Sequence, residues 1–220
     1  MRVMIGGDIV PTESNKSLFQ REDFIELFGL NFRKKWLSAD VRLFNLECPL
    51  GDKNKLKEIK KSGPNLIADE ECVRGIKSLN PSVICLANNH ILDYGIDGAN
   101  NTMRLLKNHG LRTTGLIEST ESESKIFFQE KDGIRVGIYN ICETEFCNAS
   151  RKSMGAEPYR ENKTCQIIAK AKGKCDFLIV IYHGGKEFYR YPSPKLQDRC
   201  RVFVDFGADF VACQHSHCIG

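Results

Sequence analysis

Short apolar runs alternate along this chain with longer stretches in which apolar residues recur at helical spacing. Residues 2–6 read as a strand ending on a glycine turn, and residues 22–37 as a helix whose apolar face is Phe24, Ile25, Leu27, Phe28 and Phe32. A second strand is expected at 41–46, a short helix at 70–79 that stops at Asn80 and Pro81, and a third strand at 82–87. A helix over 97–108 closes on His109 and Gly110, and a short strand follows at 111–114. Residues 126–129 and 134–141 flank Lys-Asp-Gly and read as a hairpin. Residues 142–159 show no period and read as a long loop. Helices are expected at 161–171 and 194–206, and strands at 177–182 and 209–213. Strands separated by helices of this size predict an α/β fold, and continuous apolar runs such as Phe-Leu-Ile-Val-Ile predict strands covered on both faces.

Composition narrows the class. The chain has 220 residues, 41 % hydrophobic and 27 % charged, as in an ordinary globular domain. No apolar run reaches the length of a membrane span, and Gly6, Gly7 and Asp8 interrupt the first apolar residues before they make a signal peptide. The formal net charge of +4 is spread out, apart from Lys53, Lys55, Lys57, Lys60 and Lys61. That run reads either as a solvated segment within an exposed insertion at 53–64 or as a cationic rim for an anionic substrate. No aromatic residues interleave with it, so nucleic acid is not an expected partner. The ten cysteines form no CxxC pair, which argues against a zinc ribbon or a thioredoxin-like motif. Scattered thiols without a secretion signal predict free cysteines and a cytoplasmic location.

The candidate chemistry lies at predicted strand ends. Asp8, Glu47, Asn89 with His90, His183, and His215 with His217 each follow a strand. In an open parallel sheet, ligands gather beyond the carboxyl ends of the strands. Four of the five histidines occupy such positions, and His109 is the exception. Packing alone gives no reason for that placement, so it points to a metal site of carboxylate and imidazole. In the His-Ser-His segment, the two rings share a side if the backbone is extended and diverge if it turns.

Gly-Gly-Asp-Ile (6–9), Asn-Leu-Glu-Cys-Pro (45–49), Ala-Asn-Asn-His-Ile-Leu-Asp-Tyr-Gly (87–95), His-Gly-Gly-Lys-Glu (183–187) and His-Ser-His (215–217) occur in this order. The series resembles the capsule-synthesis CapA family, itself similar to calcineurin-like metallophosphoesterases. The resemblance implies a four-layer α/β/β/α sandwich with one or two divalent metal ions. By that likeness Asp8 and His217 serve one ion, Asn89, His183 and His215 the other, and Glu47 bridges them. His90 would contact the substrate or protonate the leaving group, Asp93 would orient His90 or hold its loop, and Asn88 and Glu187 would face the substrate. The sequence departs from the family at Gly184, where a tryptophan is usual, at Ser216, where a proline is usual, and in lacking an arginine soon after the first aspartate. The family continues past the last histidine pair, so residues 1–220 are expected to form one domain without the family's C-terminal strands.

These ligands suit manganese, iron or zinc. The expected activity is metal-dependent hydrolysis of a phosphoester, or of an amide in an acidic polymer, within capsule or poly-γ-glutamate metabolism. The substrate is expected to be an anionic small molecule or polymer. The alternatives are a metal-binding accessory protein without catalysis and a plain α/β domain without metal.

Overall fold

Residues 1–143 and 146–219 are described by the computed structural model. They divide into two units, one of Met1–Ile84 with His90–Thr113, the other of Cys85–Asn89 with the residues from Thr114 onward.

In the first unit, β1 (Val3–Ile9) runs parallel to β2 (Val41–Leu46), with Val3 opposite Val41 and Asp8 opposite Asn45. The register shifts between Ile5 and Asp8, so Asp8 lies inside the strand and not after it. The sheet continues with β3 (Val83–Cys85) and β4 (Thr113–Thr114), in the order β1-β2-β3-β4. After a short α1 (Lys16–Gln20), the helix predicted over 22–37 is two helices, α2 (Phe24–Phe28) and α3 (Leu30–Leu37). Gly29 separates them at φ 84°, a left-handed value that glycine adopts without penalty and that ends the helical path. The apolar periodicity survives the break as an aromatic ladder, Phe24–Phe28–Phe32–Trp36–Phe44, with successive ring centroids 5.5 to 6.4 Å apart. The predicted helix over 70–79 is a 3-10 turn followed by α4 (Val73–Ser78). Helix α5 (Gly95–Asn108) ends on His109, whose Nδ1 lies 2.9 Å from the Leu105 carbonyl. That is a helix-end role for the histidine that falls outside the strand-end pattern.

In the second unit, the sheet order is β10-β9-β7-β6. Strands β6 (Phe127–Lys131) and β7 (Ile134–Cys142) form the predicted hairpin. Its turn residues Asp132 and Gly133 both have positive φ, as a tight hairpin turn of primed type requires. Strands β7, β9 (Phe177–His183) and β10 (Phe210–Gln214) are parallel, with α6 (Glu161–Lys172) and α7 (Pro194–Asp205) as connecting helices. Ser193 caps α7 through a bond from Leu196 N. Tyr139, Ile141, Ile168, Val180, Tyr182 and Phe203 form the centre of this unit's core. The residues after Phe177 in β9 are all buried, as its unbroken apolar run predicts. The stretch at 142–159 contains β8 (Gly155–Ala156), which pairs antiparallel with β5 (Leu116–Ile117). Two residues are too few to show a period, and Thr144 and Glu145 of that stretch lie outside the described residues. Among the described residues, no helix is long and apolar enough to cross a membrane.

Candidate functional site

The first unit contributes four predicted site residues. Asp8 is half-buried, and its Oδ1 accepts a 2.7 Å bond from Asn45 Nδ2, its cross-strand partner. Glu47 is buried directly after β2, its backbone N–H bonded to the Ile9 carbonyl at 3.0 Å. His90 and Asp93 lie in the turn that precedes α5, and Asp93 is fully buried.

Asp93 is the centre of a charged cluster. Its Oδ2 lies 2.6 Å from His90 Nδ1 and accepts a 2.7 Å bond from Leu66 N. Its Oδ1 pairs with the Lys61 ammonium, and its carbonyl accepts from Ile59 N at 2.8 Å. A carboxylate only accepts, so the Asp93 contact calls for a proton on Nδ1 of His90, which also lies 3.1 Å from Lys61 Nζ. Asp93 therefore both orients His90 and pins residues 59–66. This revises the reading of 53–64. Lys53, Lys55, Lys57 and Lys60 are exposed as expected of a solvated segment, but the Lys61 side chain is only 4 % exposed. Nothing in the spacing of the lysines separates Lys61 from its neighbours, because its partner is 32 residues away.

The second unit contributes the rest. The register sets Cys142, His183 and Gln214 side by side at the carboxyl ends of three parallel strands. His183 Nε2 lies 2.9 Å from Asn89 Oδ1. Two ligand atoms at adjacent coordination positions, each about 2.1 Å from an ion, lie ~3 Å apart, so this spacing fits a shared ion. The His183 and His215 rings have centroids 4.9 Å apart, and those of His215 and His217 are 6.0 Å apart. His215 and His217 both have positive φ, 91° and 51°, uncommon for residues other than glycine and frequent at functional turns. The turned backbone brings donor atoms of His215, His217 and Glu187 within 4.8 Å of one another. Glu187 Oε1 lies 3.7 Å from His215 Nε2, so the residue expected to face substrate belongs geometrically to a donor cluster. The loop is held there by a 2.8 Å bond from Phe188 N to the Ser216 carbonyl.

Three further residues shape this unit's site. Asn140 is buried in β7 and its Oδ1 accepts from Leu86 N and Ala87 N at 3.1 and 2.8 Å, which fixes the segment leading to buried Asn88 and to Asn89. Gly115 makes room for it, since a Cβ there would stand 2.0 Å from Asn140 Oδ1. Cys147 Sγ–H donates to the Asn89 carbonyl at 2.8 Å. Asn140 was hidden in an apolar strand, where a lone polar residue is its one signal. Gly184 has a steric reason too, since a Cβ there would meet Glu143 and Tyr182 within 3.0 Å.

Comparison with known structures identifies the fold. A phosphatase of Mycoplasma pneumoniae matches with a TM-score of 0.56 and 12 % identity, over 99 % of this chain and 64 % of that one. The fold is thus α/β of metallophosphoesterase type. The sequence then gives the family: residues 2–220 match the model of the bacterial capsule synthesis protein PGA_cap, and the chain belongs to that family. It is 30 % identical over 188 residues to the capsule biosynthesis protein CapA of Bacillus anthracis, covering 82 % of this chain and 46 % of that protein. It is 27 % identical over 184 residues to the PGA biosynthesis protein CapA of Bacillus subtilis, covering 82 % and 48 %. The chain spans about half the length of the curated relatives it matches.

Proposed function

We propose that this chain is a metal-dependent hydrolase acting on a phosphoester of an anionic small molecule or polymer in capsule or poly-γ-glutamate metabolism. Asp8, Glu47, Asn89, His183, His215 and His217 would hold one or two divalent ions of manganese, iron or zinc. When bound, such ions supply Lewis-acid activation of the phosphoryl group and of water. The observation that carries the reading is the pairing of two features at consecutive residues. Asn89 Oδ1 meets His183 Nε2 at a spacing suited to a shared ion, and His90 is held by the buried Asp93.

The chain's own groups then have distinct tasks. His90, as the imidazolium with its Nδ1–H on Asp93, would present Nε2–H to the leaving oxygen and give it that proton. Asp93 holds the ring against rotation and supports positive charge on it. Lys61 offsets the Asp93 charge, which would otherwise be buried at high cost. Asn88 orients the substrate, and Glu187 stands beside His215 to hold its ring or accept from substrate. The substrate's negative charge is matched by the chain's net charge of +4. A reducing cytoplasm is consistent with ten cysteines that form no disulfide.

The test is hydrolysis of a chromogenic phosphodiester by purified chain with added manganese or zinc, followed by chelation. We expect turnover that chelation abolishes and metal restores. Bound metal without turnover on any phosphoester or γ-glutamyl amide would favour the accessory-protein reading instead.

A further inference from the structure

Cys200 on α7 and Cys213 on β10 hold their Sγ atoms 3.6 Å apart. The β9–α7–β10 packing brings them together, and no CxxC motif announces the pair. A disulfide closes at about 2.05 Å, so a shift of roughly 1.5 Å, within the reach of side-chain rotation, would join them. Cys213 is exposed and Cys200 is partly exposed, whereas six of the other eight cysteines are buried. Both line a cavity of about 490 Å³ that also includes Tyr191, Leu196, Gln197 and Arg201. A small molecule therefore has room to approach both sulfurs. In thiol–disulfide exchange the thiolate is the attacking species.

We propose that Cys200 and Cys213 form a dithiol modification site, oxidised to an intramolecular disulfide by a small-molecule disulfide that enters this cavity. The Cys200 thiolate attacks one sulfur of the reagent, the reagent's S–S bond breaks, and the first small thiolate leaves and takes up a proton. Cys213 loses its proton and attacks Cys200 Sγ, expelling the second small thiol. Two protein thiols are oxidised by two electrons, and the reagent is reduced to two thiols.

The experiment uses the full chain, first reduced and then exposed to oxidised glutathione, quenched in acid, alkylated and mapped by mass spectrometry. We expect loss of two titratable thiols, a Cys200–Cys213 cross-linked peptide, and full recovery with dithiothreitol. Cys213→Ser should stop the reaction at a single glutathione adduct on Cys200, and Cys200→Ser should leave no cross-link. Retention of all ten thiols in wild type, a stable adduct without cross-linking, or a Cys213–Cys218 peptide would each overturn the proposal. None of these readouts depends on metal or on turnover, so the result stands apart from the hydrolase reading.

Discussion

The polar groups on either side of the Asn89–His90 peptide bond are held in different ways. In the first unit, His90 is fixed by Asp93, and Asp93 is compensated by Lys61, with all three side chains nearly excluded from solvent. In the second, Asn89, His183, His215 and His217 are donors that hydrogen-bond or pack against one another, with Glu187 at 3.7 Å from His215. The first arrangement satisfies a buried carboxylate with an ammonium and a ring nitrogen. The second gathers lone-pair donors with one exposed-side carboxylate, which suits a cation. The difference teaches that consecutive residues of one motif, Ala-Asn-Asn-His, divide between a ring held by a buried carboxylate and an amide set beside an imidazole.

Lys61→Met should break the first arrangement with the largest effect. Removing one partner of a buried pair leaves an uncompensated charge, and a loss of about 3–5 kcal/mol in metal-free stability is expected. Urea denaturation measures it, and Lys61→Met combined with Asp93→Asn should recover a substantial part. A Lys61→Met protein as stable as wild type would show that the pair is not a structural charge balance.

His183→Ala should act in the opposite sense. Metal-free stability should change little, while affinity for manganese or zinc should fall by ~10²-fold or more, beyond the range expected for second-layer partners. Calorimetric titration of the metal separates the two variants. Unchanged affinity would remove His183 from the ligand set.

Glu157 sharpens the contrast at smaller scale. It is buried, and its close side-chain contacts are the hydroxyls of Tyr139 and Ser124, with no cation in hydrogen-bond contact among the described residues. Burial raises its pKa, partly opposed by those hydroxyls and by Arg160 and Lys163. The folded state then binds the proton more tightly than the unfolded state. Its contribution to stability is full below the usual carboxylate range and is lost as pH rises through the raised value. Glu157→Gln should therefore gain on wild type as pH rises. Thermal midpoints between acid and neutral pH would show it, and parallel curves would contradict it.

How much of this was legible in the sequence follows from the range of each interaction. Strand β2 was predicted at its observed bounds, because a buried strand writes its apolar run locally. The placement of Glu47 just after β2, His183 at the end of β9 and His215 just after β10 was legible for the same reason, since each closes such a run. Gly29 was the visible mark of the break between α2 and α3, and the aromatic periodicity outweighed it. Lys61 and Asn140 were not legible as site residues. Their partners, Asp93 and the Leu86–Ala87 backbone, are 32 and more than 50 residues away, and nothing local distinguishes Lys61 from the lysines beside it.

The central claim is that a metal-binding donor set and a separately held proton donor act in one hydrolytic reaction. Manganese content and phosphodiester turnover, measured on the same samples of wild type and His90→Ala, test it most directly. The account predicts equal metal content and a turnover lower by ~10²-fold or more in His90→Ala. Equal turnover at equal metal content would contradict it.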